Sequence, residues 1–253
     1  MVARAGYARR YAAKTGDEDA MLNPVHHDSS RPQAAFVALF DVLGFKNRIE
    51  TTPLDAVVDG YQRLRALKLR ARSVPIMSSV RVRMESVGTT IFSDTILLWC
   101  DDESDAVQSL LTACAVLVAS AIEERWPLRG GIAYGDCILN REARTFVGLP
   151  IVQAYQVEQS QEWLGAAIHE TALNHKTLGT LIQRTEDVIK YAIPVKPKAQ
   201  TLDYAIHWGP YAMGVKTILE SLIEETEDLS VRAKYEATLG YLLSKCSDCH
   251  AWT

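Results

Sequence analysis

Two apolar segments that each carry an isolated aspartate constrain the fold of this chain more than any other feature. Residues 36–46 read Phe-Val-Ala-Leu-Phe-Asp-Val-Leu-Gly-Phe-Lys, an apolar strand that ends on Asp41 and breaks into a turn at Gly44. Residues 87–99 form a second apolar strand pair around Asp94. Two carboxylates held close together in a low-dielectric setting repel strongly unless a cation lies between them. The pattern therefore suggests neighbouring strands with a divalent-metal site at their ends.

Composition narrows the class of protein. The chain has 253 residues, of which 48% are hydrophobic, so we expect one domain with one substantial core and some additions. The net charge of -4 gives no overall field for binding nucleic acid or an anionic membrane surface. No apolar run approaches the roughly 20 residues that span a bilayer, and the N-terminus lacks the apolar core of a secretory signal. We expect a cytoplasmic protein that binds neither nucleic acid nor membrane.

Cysteine usage agrees with a reducing compartment. The five cysteines are too few and too scattered for a disulfide framework. Cys100, Cys114 and Cys137 lie in apolar runs and are expected to be small core residues. Cys246 and Cys249 have the spacing of half a zinc site, but no second ligand pair follows, so an ordinary C-terminal tail is the preferred interpretation.

The alternation of hydrophobic periods predicts a ferredoxin-like unit. Apolar residues recur at helical spacing over 54–67 and 104–125, whereas residues 80–85 alternate apolar and charged side chains as in a half-exposed strand. Residues 95–100 would pair with that strand in a hairpin that has Asp94 at its turn. The predicted order is a strand over 36–41, a helix over 54–67, strands over 80–85 and 95–100, a helix over 104–125, and a glycine-punctuated strand over 128–139. This is the order β-α-β-β-α-β.

The two ends of the chain are predicted to lie outside this unit. Residues 1–33 are weakly patterned and are expected to form a flexible arm. Residues 191–195 are predicted to be the last strand. Residues 211–245 have apolar side chains at helical spacing, so 198–253 are expected to form a helical C-terminal extension. Its helices would either cap the core or mediate dimerisation.

Four segments together resemble the class III nucleotidyl cyclases. They are the turn at 41–45, the Phe-Ser-Asp hairpin at 92–94, the strand at 128–135 and the segment at 148–154. They follow the family's order and cover about residues 34 to 195. Within the family, the short chain and the helical extension look most like the bacterial Pycsar pyrimidine cyclases of anti-phage defence. The resemblance implies an α+β cyclase domain over 34–197 that converts a nucleoside triphosphate to its 3′,5′-cyclic monophosphate and pyrophosphate.

The resemblance also implies a metal and phosphate site. Asp41, Asp94 and the backbone carbonyl of Val42 would be ligands of two divalent cations, Mn²⁺ or Mg²⁺. The alternatives for the two aspartates are an ordinary cap and an ordinary hairpin-turn acid. Backbone N–H groups of the turn that contains Gly44 and Phe45 would face the phosphates.

Two basic residues complete this side of the implied site. Lys46 would add charge at the terminal phosphate, although a solvent-exposed lysine fits the sequence equally well. Arg129 matches the family's strand arginine, which neutralises charge that develops on the leaving group. A surface ion pair at a strand end is its alternative interpretation.

The sequence departs from the family at the transition-state pair. The family's asparagine and arginine align with Val152 and Gln156, neither of which carries a charge. Either another basic residue, such as Lys46, Arg48 or Arg144, supplies the charge, or the protein is a slow or inactive cyclase.

The positions that read the base differ as well. Thr90 and Thr145 stand where purine-specific members carry other side chains, so neither purine code is present. This favours a pyrimidine nucleotide, and the resemblance favours UTP over CTP. The family further implies a head-to-tail homodimer with active sites at the interface, and a separate effector that binds the cyclic nucleotide. A purine cyclase with an unusual base pocket and a catalytically degenerate nucleotide-binding module remain as alternatives.

Overall fold

The computed structural model describes residues 31–70 and 84–245, and of residues 65–70 and Met84 only the backbone. The predicted N-terminal arm up to residue 30, the predicted strand at 80–83 and the cysteines at 246 and 249 lie outside the described residues.

The strands form one eight-stranded sheet in which the order is β2-β3-β1-β4-β6-β8-β7, with β5 paired to β4. Strands β2, β3, β1 and β4 are antiparallel neighbours, and β4 pairs with β6 in parallel. The strands are β1 (Gln33–Val42), β2 (Gly88–Phe92), β3 (Thr95–Cys100), β4 (Leu128–Asn140), β5 (Thr145–Gly148), β6 (Gly165–Ile168), β7 (Val188–Lys190) and β8 (Tyr204–Ile206).

Helices connect these strands and complete the predicted unit. The described α-helices are α1 (Phe45–Thr51), α2 (Leu54–Arg70), α3 (Ser104–Glu123), α4 (Leu149–Ser160), α5 (Glu170–Leu173), α6 (Lys176–Arg184), α7 (Val215–Glu225) and α8 (Leu229–Lys245). The order from β1 to β4 is β-α-β-β-α-β, with helices α1 and α2 together in the first helical position. The predicted ferredoxin-like α+β fold is confirmed.

Strand β1 has a core on each of its faces because its side chains alternate. Phe36, Phe40 and Val42 belong to the larger core cluster, which includes helix α3. Val37 and Leu39 belong to a smaller cluster on the other face. Within the described part of the chain, α3 is the one helix long and apolar enough to cross a membrane, and 94% of its most apolar window is buried inside the fold. The expectation that no apolar run approaches the length of a membrane span was therefore wrong for α3, although its burial is that of a core helix.

Two strand predictions were wrong. Met84–Ser86 is a short 3₁₀ helix, and the strand that pairs with β3 is β2, which begins at Gly88. Residues 191–195 do not form the last strand. The N–H groups of Tyr191 and Ile193 donate to the carbonyls of Asp203 and Leu202, Val195 forms an isolated bridge with Gln161, and β8 follows later. Pro194 has no N–H to contribute to a strand ladder, which explains the break.

The C-terminal helices cap the core. Val215, Leu219 and Leu222 of α7 and Tyr241 of α8 are buried in the larger cluster. The Tyr241 ring lies about 5 Å from the ring centroids of three other aromatic residues, the buried Trp163 at 5.0 Å and Trp208 at 5.0 Å and the partly buried Tyr191 at 5.1 Å. The helical extension predicted from the apolar spacing is present, with its apolar faces turned toward the core.

Candidate functional site

Asp41 lies in a row of side chains that crosses the sheet. It is directly opposite Thr95 of β3 on one side and Arg129 of β4 on the other. Residues directly opposite one another in antiparallel strands share a face, and their Cβ atoms lie about 4.5–5.5 Å apart. Because Leu39, two residues before Asp41, belongs to the smaller core cluster, the row lies on that face of the sheet.

The hairpin between β2 and β3 brings Asp94 to the end of β1. The N–H of Val42 donates a hydrogen bond of 3.1 Å to the backbone carbonyl of Asp94, so the turn is fixed beside the strand. Ser93, just before it, has φ 54, as is usual for a residue in a tight turn. The structure therefore brings together the three predicted metal-binding residues, Asp41, Val42 and Asp94.

The Asp41 carboxylate is in an unfavourable electrostatic setting. Its pKa is raised from 3.8 to about 7, first because it is partly buried and then because the negative charges of Glu158 and Asp94 are close. The positive charge of Arg129 acts in the opposite direction but does not cancel these effects. A cation held between Asp41 and Asp94 would remove the repulsion.

The oxygen donors at this strand end suit a hard divalent cation. Mg²⁺ is usually bound through one or two carboxylates, with water and substrate phosphates as further ligands. Among residues 31–70 and 84–245, no group of three or more His, Cys, Asp or Glu side chains is arranged to hold a metal ion. The pair of Asp41 and Asp94 thus fits an open cation site that water and substrate phosphates would complete, rather than a closed protein cage.

The turn after β1 exposes its backbone. Gly44 has φ 74, in the left-handed region that favours glycine, and a Cβ placed there would meet nothing within 4 Å. Phe45, the first residue of α1, packs toward Trp126 with a ring-centroid distance of 6.3 Å. Lys46 is 89% exposed and has a 3.8 Å ion pair with Glu50. The backbone above Gly44 is therefore open, and Lys46 extends from the surface beside it.

Arg129 is buried, and its guanidinium is held by helix α4 and the residues that follow it. Its Nε donates to Oε1 of Glu158 at 2.7 Å, its Nη2 forms an ion pair with the same oxygen at 2.5 Å, and its Nη1 donates to the carbonyl of Gln161 at 2.9 Å. The Gln161 side chain is also anchored, since its Nε2 donates to the carbonyls of Gly130 and Val157. In this structure the predicted phosphate-binding arginine is part of a buried polar network.

Close packing of α4 on β4 places Glu158 in this position. A Cβ on Gly131 would lie 2.2 Å from the carbonyl oxygen of Ala154, so only glycine permits this approach. Gly130 contacts the Phe40 ring in a similar way on the other face. The main chain of α4 therefore packs directly against β4 at Gly131.

The sequence analysis missed Glu158 and Gln161. The buried face of α4 consists of Pro150, Ala154, Val157 and Glu158, so the signal was an isolated acid on an apolar helix face. Its buried cationic partner lies 29 residues earlier in the chain, which no local pattern reveals.

The two threonines of the predicted base pocket lie away from Asp41. Thr90 pairs with Leu97 on the outer strand β2, about 12 Å from Asp41 by strand geometry. Thr145 is exposed at the start of β5, and the next residue, Phe146, contacts the Trp99 ring with a centroid distance of 5.6 Å. The base-reading residues and the metal residues therefore occupy different parts of the sheet.

The alternative basic residues are placed differently from one another. The Arg48 guanidinium lies 4.4 Å from the centroid of the Trp126 ring, and its Nη2 donates to the Arg125 carbonyl at 2.7 Å. Arg144 is exposed, with φ 52, in the tight turn before β5. Of Lys46, Arg48 and Arg144, Arg48 has the positively charged group that is most firmly held in place.

A separate cleft adjoins the outer side of α4. Its volume is about 450 Å³, and it is bounded by the end of α4, the start of α5 and the loop before β8. Gln156, His169 and Thr201 are among the polar residues that line it. Val152, one turn before Gln156, is exposed on α4.

Comparisons with known proteins find similarity in structure. No protein-family model matches the chain, and no curated protein sequence does. The fold is similar to a crystal structure of the adenylyl cyclase CyaB from P. aeruginosa, with a TM-score of 0.47 and 14% identity over 70% of this chain and 94% of that chain. For the guanylyl cyclase Cya2 the TM-score is 0.42 at 13% identity, over 69% of this chain and 92% of that chain.

A third solved structure has a similar chain path. It is a bacterial light-regulated adenylyl cyclase, with a TM-score of 0.44 and 13% identity over 76% of this chain and 98% of that chain. The sequence identity to all three proteins is low, and the site described above stands on its own geometry.

Proposed function

We propose that the chain is a nucleotidyl cyclase that converts UTP to cyclic UMP and pyrophosphate in the cytoplasm. The observation that carries the proposal is the pairing of Asp41 with Asp94 at adjoining strand ends, where the neighbouring negative charge is not compensated. The preference for a pyrimidine is supported by Thr90 and Thr145, which do not match either purine code, and the choice of UTP over CTP rests on the resemblance alone. The product would act as a messenger for a separate effector in anti-phage defence, as the resemblance to the Pycsar cyclases implies.

The residues of the strand end would share the work of this reaction. A bond forms between the ribose 3′-oxygen and the α-phosphorus, and the bond from that phosphorus to pyrophosphate breaks. Two divalent cations, when bound, lower the pKa of the hydroxyl group and neutralise the triphosphate. Asp41, Asp94 and the Val42 carbonyl would hold the cations, while the backbone N–H groups of Gly44 and Phe45 would orient the phosphates. Arg129 would contact phosphate by exchanging part of its pairing with Glu158.

We also propose that a second copy of the chain completes the site. Apolar side chains are exposed on β5 and on one side of α4, where their spacing of three residues forms a stripe; they are Val147, Leu149, Val152 and Tyr155. A partner that covers this stripe would lie beside the face of the sheet that carries Asp41. This agrees with the head-to-tail homodimer that the resemblance implies.

Product chromatography tests the activity. The purified protein is incubated with ATP, GTP, CTP or UTP and Mn²⁺, and cyclic UMP should form from UTP. The variants Asp41→Asn and Asp94→Asn should form none, which links the product to the carboxylate pair. A purine cyclic nucleotide would favour the purine-cyclase alternative, and no product from any of the four nucleotides would refute the proposed activity.

A non-catalytic nucleotide-binding module is the second candidate. The uncharged Val152 and Gln156 favour it, and so does the commitment of Arg129 to Glu158. This candidate predicts that UTP binds in a calorimetric titration with Mn²⁺ but is recovered unchanged after incubation. Turnover of the bound UTP would exclude it.

A further inference from the structure

Two carboxylates compete for the guanidinium of Arg129. Asp41 is its cross-strand neighbour, directly opposite on β1. Glu158 approaches from α4, accepts a hydrogen bond from Nε at 2.7 Å and lies 2.5 Å from Nη2 in an ion pair. Asp41 forms no ion pair with Arg129 within the part of the chain that the structure describes. The guanidinium of Arg129 is therefore paired with Glu158, although Asp41 is its cross-strand neighbour.

An Arg129–Asp41 pair would be the expected outcome without Glu158. Opposite charges at directly opposed positions of an antiparallel sheet attract, and arginine matches a carboxylate with two parallel hydrogen bonds. Such a pair would occupy the oxygens of Asp41 and would place a positive charge where a divalent cation has to bind. The strand end would then repel a metal ion.

The support for Glu158 is rigid. Its side chain is completely buried, and its second oxygen, Oε2, accepts a hydrogen bond of 2.7 Å from Nε2 of Gln159. Gln161 Oε1 accepts from the indole N–H of Trp163 at 2.8 Å, which fixes the residue whose carbonyl receives Nη1 of Arg129. A network in which every member has its partners favours this arrangement as long as no substrate is bound.

We propose that Glu158 is a positioning residue that holds Arg129 away from Asp41 and so keeps Asp41 available for a divalent cation. The inference rests on the metal-binding role of Asp41 in the proposed function. It adds that the ion pair between Arg129 and Glu158 keeps the positively charged guanidinium from occupying the place of the metal ion. Removal of Glu158 alone should therefore weaken metal binding, although Glu158 is not itself a ligand.

Calorimetric titration with Mn²⁺ alone, without nucleotide, tests this role. Compared with the wild type, Glu158→Gln should bind Mn²⁺ about tenfold more weakly, because Arg129 turns to Asp41. The double variant Arg129→Met/Glu158→Gln lacks both charges, and its Kd should return to within about threefold of the wild type. A crystal structure of Glu158→Gln should show the guanidinium paired with Asp41.

The control is Glu162→Gln, which breaks a neighbouring ion pair of 2.9 Å with Lys234 and should leave the Kd unchanged. Wild-type Mn²⁺ affinity in Glu158→Gln would overturn the inference, and so would a double variant that binds as weakly as the single one. If Glu158→Gln does not fold, the double variant is the test. Tenfold weaker binding of Mn²⁺ by the double variant than by the wild type would contradict the inference. Absence of Mn²⁺ binding by the wild type also overturns it.

This outcome can be separated from a failure of the proposed activity. A wild type that binds Mn²⁺ and shows the expected pattern of variants, yet forms no cyclic nucleotide, supports the role of Glu158 and refutes the cyclase proposal. If the wild type forms cyclic nucleotide but Glu158→Gln binds Mn²⁺ as well as the wild type does, the cyclase proposal is supported and the role of Glu158 is refuted.

Discussion

Replacing Asp41 with asparagine should stabilise the metal-free protein at alkaline pH. In the folded state the pKa of Asp41 is about 7, whereas the ordinary value is 3.8, because the partly buried carboxylate faces Glu158 and Asp94. Above pH 7 the folded protein must carry this unfavourable charge, and the unfolded chain carries it at no such cost. Asparagine has nearly the same shape and no charge. The substitution thus removes the electrostatic cost and leaves the packing in place.

The size of the effect follows from the shift in pKa. A change from 3.8 to about 7 corresponds to about 4 kcal/mol in the free energy of unfolding if the whole shift is counted. The carboxylate is partly exposed, so solvent screening reduces the expected gain to about 1–2 kcal/mol. For a protein of this size the gain raises Tm by about 3–6 °C.

The pH dependence has a defined sign. A raised pKa means that the folded state binds the proton more tightly, so the cost of the Asp41 charge is complete above pH 7 and fades as the pH falls toward 3.8. The advantage of Asp41→Asn over the wild type should therefore be larger at pH 8 than at pH 5.

Thermal and urea unfolding in EDTA at pH 8 and pH 5 measure the effect. Asp59→Asn, the same change at an exposed position of α2, is the control and should alter stability by less than about 0.5 kcal/mol. Mn²⁺ at about 100 times its Kd should stabilise the wild type by about 2.7 kcal/mol and leave Asp41→Asn unchanged. If Asp41→Asn is no more stable than the wild type at pH 8 in EDTA, the uncompensated charge at Asp41 is refuted.

Three further substitutions test the packing of α4, the exposed stripe and the missing transition-state pair. Gly131→Ala should lower the free energy of unfolding by about 1–3 kcal/mol, measured in urea, because its Cβ would lie 2.2 Å from a main-chain oxygen of α4. The control Gly240→Ala, whose Cβ would meet nothing within 4 Å, should be stabilising. Equal losses of stability in the two variants would contradict the packing argument. Leu149→Glu should convert a dimer to a monomer in light scattering, and a monomeric wild type would argue against the stripe as an interface. Val152→Asn with Gln156→Arg should raise the turnover of UTP at least about tenfold, because in the proposed head-to-tail dimer α4 of the second copy would place the new cation beside the phosphates. Unchanged turnover would mean that another basic residue already serves.

Local sequence signals predicted the fold where one period held throughout an element. Helix α3 was expected over 104–125 and is present at Ser104–Glu123, because its apolar spacing is continuous and no glycine or proline interrupts it. The turn at Asp94 and the glycine-rich strand β4 were predicted for similar reasons. The prediction failed over 191–195, where an apolar run contains Pro194 and pairs only through separate backbone hydrogen bonds and one isolated bridge. Apolar character alone does not distinguish a strand from a buried loop.

The candidate site was only half visible in the sequence. Asp41 and Asp94 stand out because each is an isolated charge in an apolar segment, and such a charge needs a reason to be there. Glu158 is equally isolated within α4, but its role depends on Arg129, which is 29 residues away in sequence and is brought close only by helix packing. Side chains that act through a tertiary partner cannot be assigned from spacing.

The contrast between Glu158 and Asp41 indicates which carboxylate is left for a ligand. Glu158 is the more deeply buried of the two, yet both of its oxygens accept hydrogen bonds and its charge is balanced by Arg129. Asp41 has no comparable hydrogen bond or ion pair from its carboxylate among the described residues, and its nearest charges include two that repel it. The fold satisfies the Glu158 carboxylate fully and leaves the Asp41 carboxylate unbalanced, so the metal-free protein loses stability at Asp41. Such a loss is expected where a cation restores the balance, so stabilisation of the protein by Mn²⁺ should depend on Asp41 and disappear when Asp41 is neutral.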